Sequence, residues 1–542
     1  MNIRKITVWA AVALAVVLAG ARIVPAVTGL FYDYDVLIKG GKVYDGTLAA
    51  PRTEDVGIKG ARIVGVGTLT GPARRLIDAK GLIVTPGFID VHNHSDVVFN
   101  KAGLFRYLAF IKPEWKGNYN YLTQGVTTIV DGNCGWGFAD LNQYFGFLDL
   151  LRFGTNVYTL APHGDLRNYL FGKDDPEALA EDQLEALKNE VEKEMKRGAL
   201  GLSTGLEYAP GCAATTAELV ELAKVVKKYN GIYVSHIRDN TGDGVLKALK
   251  EAIEVGKRAN IPVHISHLQV NAPRRKVKAV QLVALIKQAR AEGVDITADS
   301  YPYDAGNSWI TMLTPAKYKT SDSIRPEYKT GPGREELKQA VIRSFKDLGP
   351  DQVIINQYAA NRSFEGKTLA EIAKGQGKSP EEMYAMLACD DDAPMCIFLD
   401  QDINIVKALM PYDHMMSASD GTVYADLVGR PHPRSFGAFT RKIRYIVLEQ
   451  KLMSLPAAIR SMTSLPAEKF KLKGRGRIAV GNYADIAVID LKNLYDKATY
   501  KDPVRYSTGV KYLLVNGVLS IADGKLTGKR GGRTGRRADP IL

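Results

Sequence analysis

"TAELVELAKVVKKYNGIYVSHIRD", residues 216–239, decides how the chain is to be read. Its first fifteen residues form an amphipathic helical stretch, and "GIYVSHIRD" is a short apolar strand ending in a histidine. The same pair recurs on both sides. "EDQLEALKNEVEKEMKRGA" (181–199) sets Leu184, Leu187, Val191 and Met195 at helical spacing and leads into "GALGLSTG". "GVLKALKEAIEVGKRAN" leads into "IPVHISHLQ", and "KAVQLVALIKQARAEG" into "VDITADSYPYD". Repeated helix–strand units of this length require parallel strands joined by crossover helices, either a (β/α)8 barrel or an open doubly wound sheet. No glycine-rich dinucleotide fingerprint opens the series, so an α/β chain with a barrel over about 86–470 is expected. The rhythm breaks at about 311–385, the place for an insertion over one barrel loop.

Outside this middle the texture changes. "YDVLIKGGKVYDG" and "EDVGIKGARIVGVG" near one end, and "GRGRIAVGNYADIAVIDL" and "VKYLLVNGVLSIADGK" near the other, are short strands with Gly and Asn-Gly turns. Residues 34–85 and 471–530 are therefore expected to build one small β-domain from both chain ends. Residues 531–542 continue as a basic tail, whose composition predicts a solvated, poorly ordered terminus. At the start, Arg4 and Lys5 precede the charge-free run "ITVWAAVALAVVLAGA" (6–21), with Ala19-Gly20-Ala21 as an A-x-A-like cleavage site. Residues 1–33 accordingly read as a signal peptide or membrane anchor. That places the catalytic part outside the cytoplasm, exported, periplasmic or held at the membrane.

The net charge of +13 is spread along the chain, with no basic stripe interleaved with aromatics, which argues against nucleic acid as a partner. Four cysteines in 542 residues make no disulfide framework. Cys389 and Cys396 are close enough in sequence to pair, although two inert thiols are the simpler reading.

Chemistry concentrates at strand ends. In "PGFIDVHNHSD" (86–96), alternation puts Asp90, His92 and His94 on one face and Ile89 and Val91 on the other. Two imidazoles at the C-terminal end of a barrel strand are placed to share a divalent metal. Cys134 follows another strand in a Gly-Asn-Cys-Gly turn, where its thiolate suits zinc. His236 and His267 each end a strand. His264 has the opposite parity to His267 and is expected to face the helices. Asp420, ending "MMSASDG" (415–421), is placed as a metal ligand or general base. His163, His414 and His432 have no placement that forces a metal role.

These motifs, with "GLSTGLEYAPG", "DSYPYDAG", "HPRSFGAFTR" and "MTSLPAEKFKLKGRG", resemble the amidohydrolase superfamily and, within it, the N-acyl-D-amino-acid deacylases (D-aminoacylases). The likeness runs from about residue 34 to the end, apart from much of 311–400. It implies a metal-dependent hydrolase barrel carrying a small β-sandwich. It further implies a tightly held zinc on Cys134, His236 and His267, and a second, weaker site at His92 and His94 with Cys134 as the bridge. Asp420 would be the catalytic base and acid as well as a metal-site residue. Arg434 in "HPRSF" and Tyr301 in "SYPY" would hold the carboxylate of an N-acyl-D-amino-acid substrate, a role Tyr303 could share. Two other readings stand beside this one: a cyclic-amide hydrolase of the hydantoinase or dihydroorotase kind, and a non-catalytic relative. The full ligand set with Asp420 speaks against the second, and Cys134 in place of a bridging lysine against the first.

Overall fold

The computed structural model describes residues 32–537 apart from 102, 173–177, 272–276, 315–317, 321–322, 347 and 426–428. The expected export segment, 1–33, lies outside the described residues but for its last two positions. Among the described residues no helix is long and apolar enough to cross a membrane.

Eight parallel strands organise the middle of the chain: β1 (Phe88–Asp90), β2 (Val126–Asp131), β3 (Asn156–Thr159, resumed at Ala161–Pro162), β4 (Gly201–Gly205), β5 (Ile232–His236), β6 (Val263–Ile265), β7 (Ile296–Ser300) and β8 (Met415–Ser417). Each pairs with the next in sequence. Just past their ends, β8 and β1 also meet, through a parallel bridge between Asn93 and Gly421. There Asp420 N donates to His92 O (2.9 Å) and His94 N to Gly421 O (2.8 Å).

Helices α1 (Glu181–Arg197), α2 (Thr216–Lys228), α3 (Gly244–Ala259) and α4 (Ala279–Ala291) connect successive strands. On α1 the spaced apolar residues Leu187, Val191 and Met195 are buried, while Lys188 and Lys193 face outward onto Glu185 and Glu190. Burying each such side chain is worth about 1.5–3 kcal/mol, more than the exposed ion pairs contribute. The left-handed Gly198 ends the helix.

Ile89, Val91, Val130, Leu160, Val234, Met416 and Ala418, drawn from five of the eight strands or their ends, form one apolar cluster. Side chains from strands so far apart in order meet only in the middle of the array. Ile89 and Val91 therefore point inward, against the alternation expected of a strand running through His94. The strand stops at Asp90, and beyond it the backbone no longer alternates. His264 is a second correction. It is buried, its Nε2 lies 2.8 Å from Asp299 Oδ2 and its Nδ1 2.8 Å from Thr297 Oγ1, and its ring packs on Phe470 of the same inner cluster. Parity failed because β6 ends at Ile265 and His267 takes a positive φ of 30°.

Strands from both chain ends hydrogen-bond in one sheet, because Ile83–Pro86 pairs antiparallel with Ile486–Ile489. Between β7 and β8, the strands Gly306–Trp309, Val353–Gln357 and Met395–Phe398 form an antiparallel sheet with its own apolar core. The first and last of these pair with each other, so this unit closes at a neck wider than 311–385. The basic tail is docked rather than solvated as far as residue 537. Val157 N donates to Arg533 O (3.0 Å) and Gly535 N to Val157 O (2.8 Å) along β3. Gly532 allows that approach, since a Cβ there would lie 2.0 Å from Thr155 O. Cys389 and Cys396 are free thiols.

Helix α5 (Arg434–Arg441) runs into a π-helical segment, Lys442–Glu449, whose first residue is a fully buried lysine with no hydrogen-bond partner for Nζ among the described residues. Burial pushes its pKa down to about 7. A folded-state value this far below the ordinary ~10.4 means the unfolded chain holds more protons between those values. The Lys442 contribution to stability should thus rise as pH climbs from about 7 toward about 10. Thermal unfolding of Lys442→Met is expected to show a midpoint several degrees higher at pH 7, with that part of the pH dependence gone. A lower midpoint for the variant would mean the amine has a partner that stabilises it.

Candidate metal centre

The residues singled out in sequence converge where the strands end. β1 delivers His92 and His94, the turn after β2 delivers Cys134, β5 ends on His236, and the turns after β6 and β8 present His267 and Asp420. Cys134, His267 and Asp420 all have positive φ, 55°, 30° and 48°, which aims side chains from turns rather than from strands. Such backbone costs about 1–3 kcal/mol per residue and persists where the surroundings fix it. Around Cys134 the fixing is visible: a Cβ on Gly205 would lie 2.1 Å from Cys134 O.

Among the described residues, three overlapping groups place one ligand atom per residue within 4.8 Å of one another: His92, His94 and Cys134; Cys134, His236 and His267; His92, His267 and Asp420. His92 Nε2 is 3.2 Å from Cys134 Sγ, His267 Nε2 is 3.9 Å from the same sulfur, and His236 Nδ1 is 2.7 Å from His267 Nε2. Asp420 Oδ1 faces His94 Nε2 at 3.1 Å and His92 Nε2 at 3.4 Å.

Electrostatics fits a cation at this point. Burial would raise the Cys134 thiol, yet the His92 charge and contacts with His236 and His267 hold it well below the usual range. Burial would make His92 neutral, but Cys134, Asp420 and Asp299 hold it well above the usual range. His94 and His236 follow the same pattern and reach about 9, through Asp420 with Cys134 and through Cys134 with Glu207 respectively. Thiolate, carboxylates and imidazoles thus compete for positive charge in a buried space. A dication there would take the place of the imidazole protons, and the neutral nitrogen and thiolate donors left are the set that suits zinc.

Two acids that the sequence reading passed over orient this cluster. Glu207 Oε2 lies 2.8 Å from His236 Nε2 and also accepts from Asn240 Nδ2 at 3.1 Å. Asp299 Oδ1 accepts the His267 backbone N–H at 2.8 Å and lies 3.4 Å from His92 Nδ1. The signal for Glu207 was present: it stands two residues past the end of β4, inside "GLSTGLEYAPG".

Arg434, the first residue of α5, sits with Nη1 2.9 Å from Asp420 Oδ2 and its guanidinium 4.6 Å from the centre of the Tyr301 ring. It is buried, and its Nε and Nη1 have no hydrogen bond of good geometry. Its backbone N–H donates to His432 Nδ1 at 3.0 Å. Tyr301 OH donates to Gln269 Oε1 at 3.0 Å and accepts from Gln401 Nε2 at 2.8 Å. Tyr303 is placed differently: its OH faces Pro433 O at 3.4 Å and Arg441 covers its ring, so it braces α5 and does not line the cavity. His163 is tied to Glu218 at 2.9 Å, away from the cluster.

A cavity of about 500 Å³ opens above the cluster, reaching His94, Cys134, His267, Asp420 and Arg434. A smaller lobe of about 90 Å³ meets it at Tyr208, His267, Asp420 and Arg434 and contains Glu207, His236, Gln269 and Tyr301.

Comparison with known proteins adds to this geometry. A model of the amidohydrolase family matches residues 75–521. The chain is similar to the N-acyl-D-glutamate deacylase of Alcaligenes xylosoxydans xylosoxydans, 36% identical over 509 residues that cover 89% of this chain and 93% of the relative. It is also similar to the D-aminoacylase of the same organism, 29% identical over 524 residues, covering 92% and 97%. Among solved structures, the N-acyl-D-glutamate deacylase from Bordetella bronchiseptica, complexed with zinc and a phosphonate mimic of the tetrahedral intermediate, superposes with a TM-score of 0.77. That alignment has 31% identity and covers 93% of this chain and 99% of the other.

Proposed function

The chain belongs to the amidohydrolase family, and from that premise we propose that it hydrolyses the amide bond of N-acyl-D-amino acids with the help of zinc. The observation that carries the proposal is the meeting of Cys134, four histidines and Asp420 around one point, with Arg434 on the far oxygen of Asp420. In fold terms we read the eight parallel strands as a (β/α)8 barrel and the sheet of both chain ends as part of a β-sandwich. Residues 1–33 are proposed to export the protein or hold it at a membrane.

Cys134, His236 and His267 would hold the tight zinc, with His92 and His94 forming a weaker site that shares Cys134. Zinc supplies an electrophile for the amide carbonyl and lowers the pKa of water toward ~7. Asp420 has Oδ1 beside His92 and His94 and so faces the same point as the ligand nitrogens. Its carboxylate, held well below the usual range by Arg434 and the imidazoles against the effect of burial, stays ionised and can accept a proton from the attacking water. It then delivers that proton to the departing amine. Glu207 and Asp299 fix the His236 and His92 rings. Arg434, paired through Nη1 with Asp420, would turn its remaining guanidinium donors to the α-carboxylate, a planar anion that suits them.

Val97, Val98, Trp136, Tyr208, Trp309 and Met395 form an apolar part of the large lobe's wall, with Arg362 and Asp392 also on its lining. Trp136 lies 4.6 Å from Trp309 and 4.7 Å from Tyr208, centre to centre. A bulky apolar acyl or side chain buries surface there that an acidic one leaves hydrated, so N-acetyl-D-phenylalanine should outrun N-acetyl-D-glutamate in kcat/KM.

Arg434→Lys tests the substrate assignment. It keeps the charge but loses the fork, so KM for substrates with a free α-carboxylate should rise roughly tenfold or more, and kcat should change less. Amidated substrates should barely notice. Equal loss on acids and amides would show that Arg434 does not hold the carboxylate.

A further inference from the structure

The opposite end of the parallel strands carries a second feature that the hydrolytic site does not use. A hollow of about 50 Å³ sits between the docked tail and the terminal sheet. Among the described residues its lining carries six Lys or Arg and no acid: Lys471, Lys473, Arg475, Arg533, Arg536 and Arg537. Lys471, Lys473, Arg533 and Arg536 are exposed. The floor is built, because Arg475 is buried between Asp485 and Tyr158 OH (3.2 Å from its Nε).

Among the described residues the acids nearest this charge are engaged elsewhere, while Lys471 Nζ donates to Asn230 O at 3.0 Å and Arg537 Nη2 to Met195 O at 3.3 Å. Asp485 is taken by Arg475, and Asp149, outside the lining, accepts from Thr534 Oγ1 at 2.5 Å and stands 3.9 Å from Arg536. Burial, and next the charge of Lys227, lower the Lys471 ammonium, with Arg537 adding to the same crowding and Asp295 opposing it. Like charges gathered in a concave, partly desolvated place raise the local concentration of anions.

Position then narrows the ligand. The hollow adjoins the N-terminal part of β3 and Gly198, which precedes β4, whereas the metal-ligand cluster follows the strands' C-terminal ends. The first described residue, Tyr32, is joined to one wall of the hollow through Lys59 and Arg62. Tyr32 O accepts from Lys59 Nζ at 3.3 Å, and Lys59 pairs with Arg62 across a hairpin. The Arg62 guanidinium lies 3.7 Å over the centre of the Tyr483 ring, which is one wall of the hollow. In sequence, ten residues separate the apolar run 6–21 from Tyr32.

We propose that this hollow and its basic rim bind phosphate-bearing anions, and that the source is the headgroup layer of an anionic bilayer, with the catalytic mouth turned away from it. The bilayer assignment leans on the export reading of residues 1–33, whereas the anion site stands on Lys473, Arg533 and their neighbours alone. Deacylation is independent of both, so activity and binding fail separately.

The test compares full-length protein with the double variant Lys473→Glu/Arg533→Glu, two exposed positions outside the catalytic machinery. Co-sedimentation with phosphatidylglycerol–phosphatidylcholine vesicles should exceed that with pure phosphatidylcholine. The anionic increment should fall at least tenfold in the variant and vanish near 1 M salt, where screening shortens to about 3 Å. Hydrolysis by the variant should be unchanged. Equal binding of both proteins to anionic vesicles, or equal binding to both vesicle types, would overturn the proposal. A parallel titration with inorganic phosphate separates the sources: saturable binding lost in the variant, without vesicle binding, would leave the anion site and remove the bilayer. Binding of a duplex oligonucleotide in preference to vesicles would also overturn it.

Discussion

Asp420→Asn is expected to fold, to keep its tightly held metal, and to lose roughly 10² or more in kcat, the scale of a missing general acid–base. Asparagine preserves size and a hydrogen-bonding oxygen but cannot accept a proton from water. The geometry makes this the sharpest separation of chemistry from binding. Asp420 stands outside the Cys134, His236 and His267 group, yet its Oδ1 faces His92 and His94 and its Oδ2 faces Arg434. A kcat within a few-fold of the original enzyme would move the proton-transfer role to another group.

Cys134→Ala should do something different: abolish tight metal binding and activity together. Its sulfur is the ligand atom common to two of the three groups, 3.2 Å from His92 Nε2 and 3.9 Å from His267 Nε2. His236→Ala and His267→Ala should follow it, while His92→Ala and His94→Ala should cut activity with less effect on the tight metal. Elemental analysis is the readout, and full zinc in Cys134→Ala would show that the thiolate is not a ligand. His264→Ala should also disturb the metal centre. His264 hydrogen-bonds Asp299, which holds the His267 backbone and faces His92, so its loss should loosen the site.

Much of this was legible before any coordinate. Helical periodicity in 181–199 and the recurring strand–histidine endings located the parallel array, and those endings brought His92, His94, Cys134, His236, His267 and Asp420 to one place. What sequence misjudged has a common physical cause. Alternation holds only while the backbone stays extended, and functional residues sit just where it stops. Ile89 and Val91 turned inward and His264 joined Asp299 because β1 and β6 end within a residue or two of the histidines. Glu207 and Asp299 escaped notice because each acts on a histidine about 30 residues or more away, a distance only the folded array closes. The docked tail escaped because composition reports solubility and says nothing of a glycine's ability to lie against a strand.

The central claim is a linear N-acyl-D-amino acid as substrate, and one set of initial rates tests it most directly. Zinc-loaded enzyme should be given N-acetyl-D- and N-acetyl-L-phenylalanine, N-acetyl-D-glutamate, and a hydantoin of the same side chain at equal concentration. Free D-phenylalanine should be released, with the L-enantiomer and the hydantoin slower by roughly 10² or more, the selectivity that positioned polar contacts supply. Faster opening of the hydantoin than of any N-acyl-D-amino acid, or no preference between enantiomers, would contradict it.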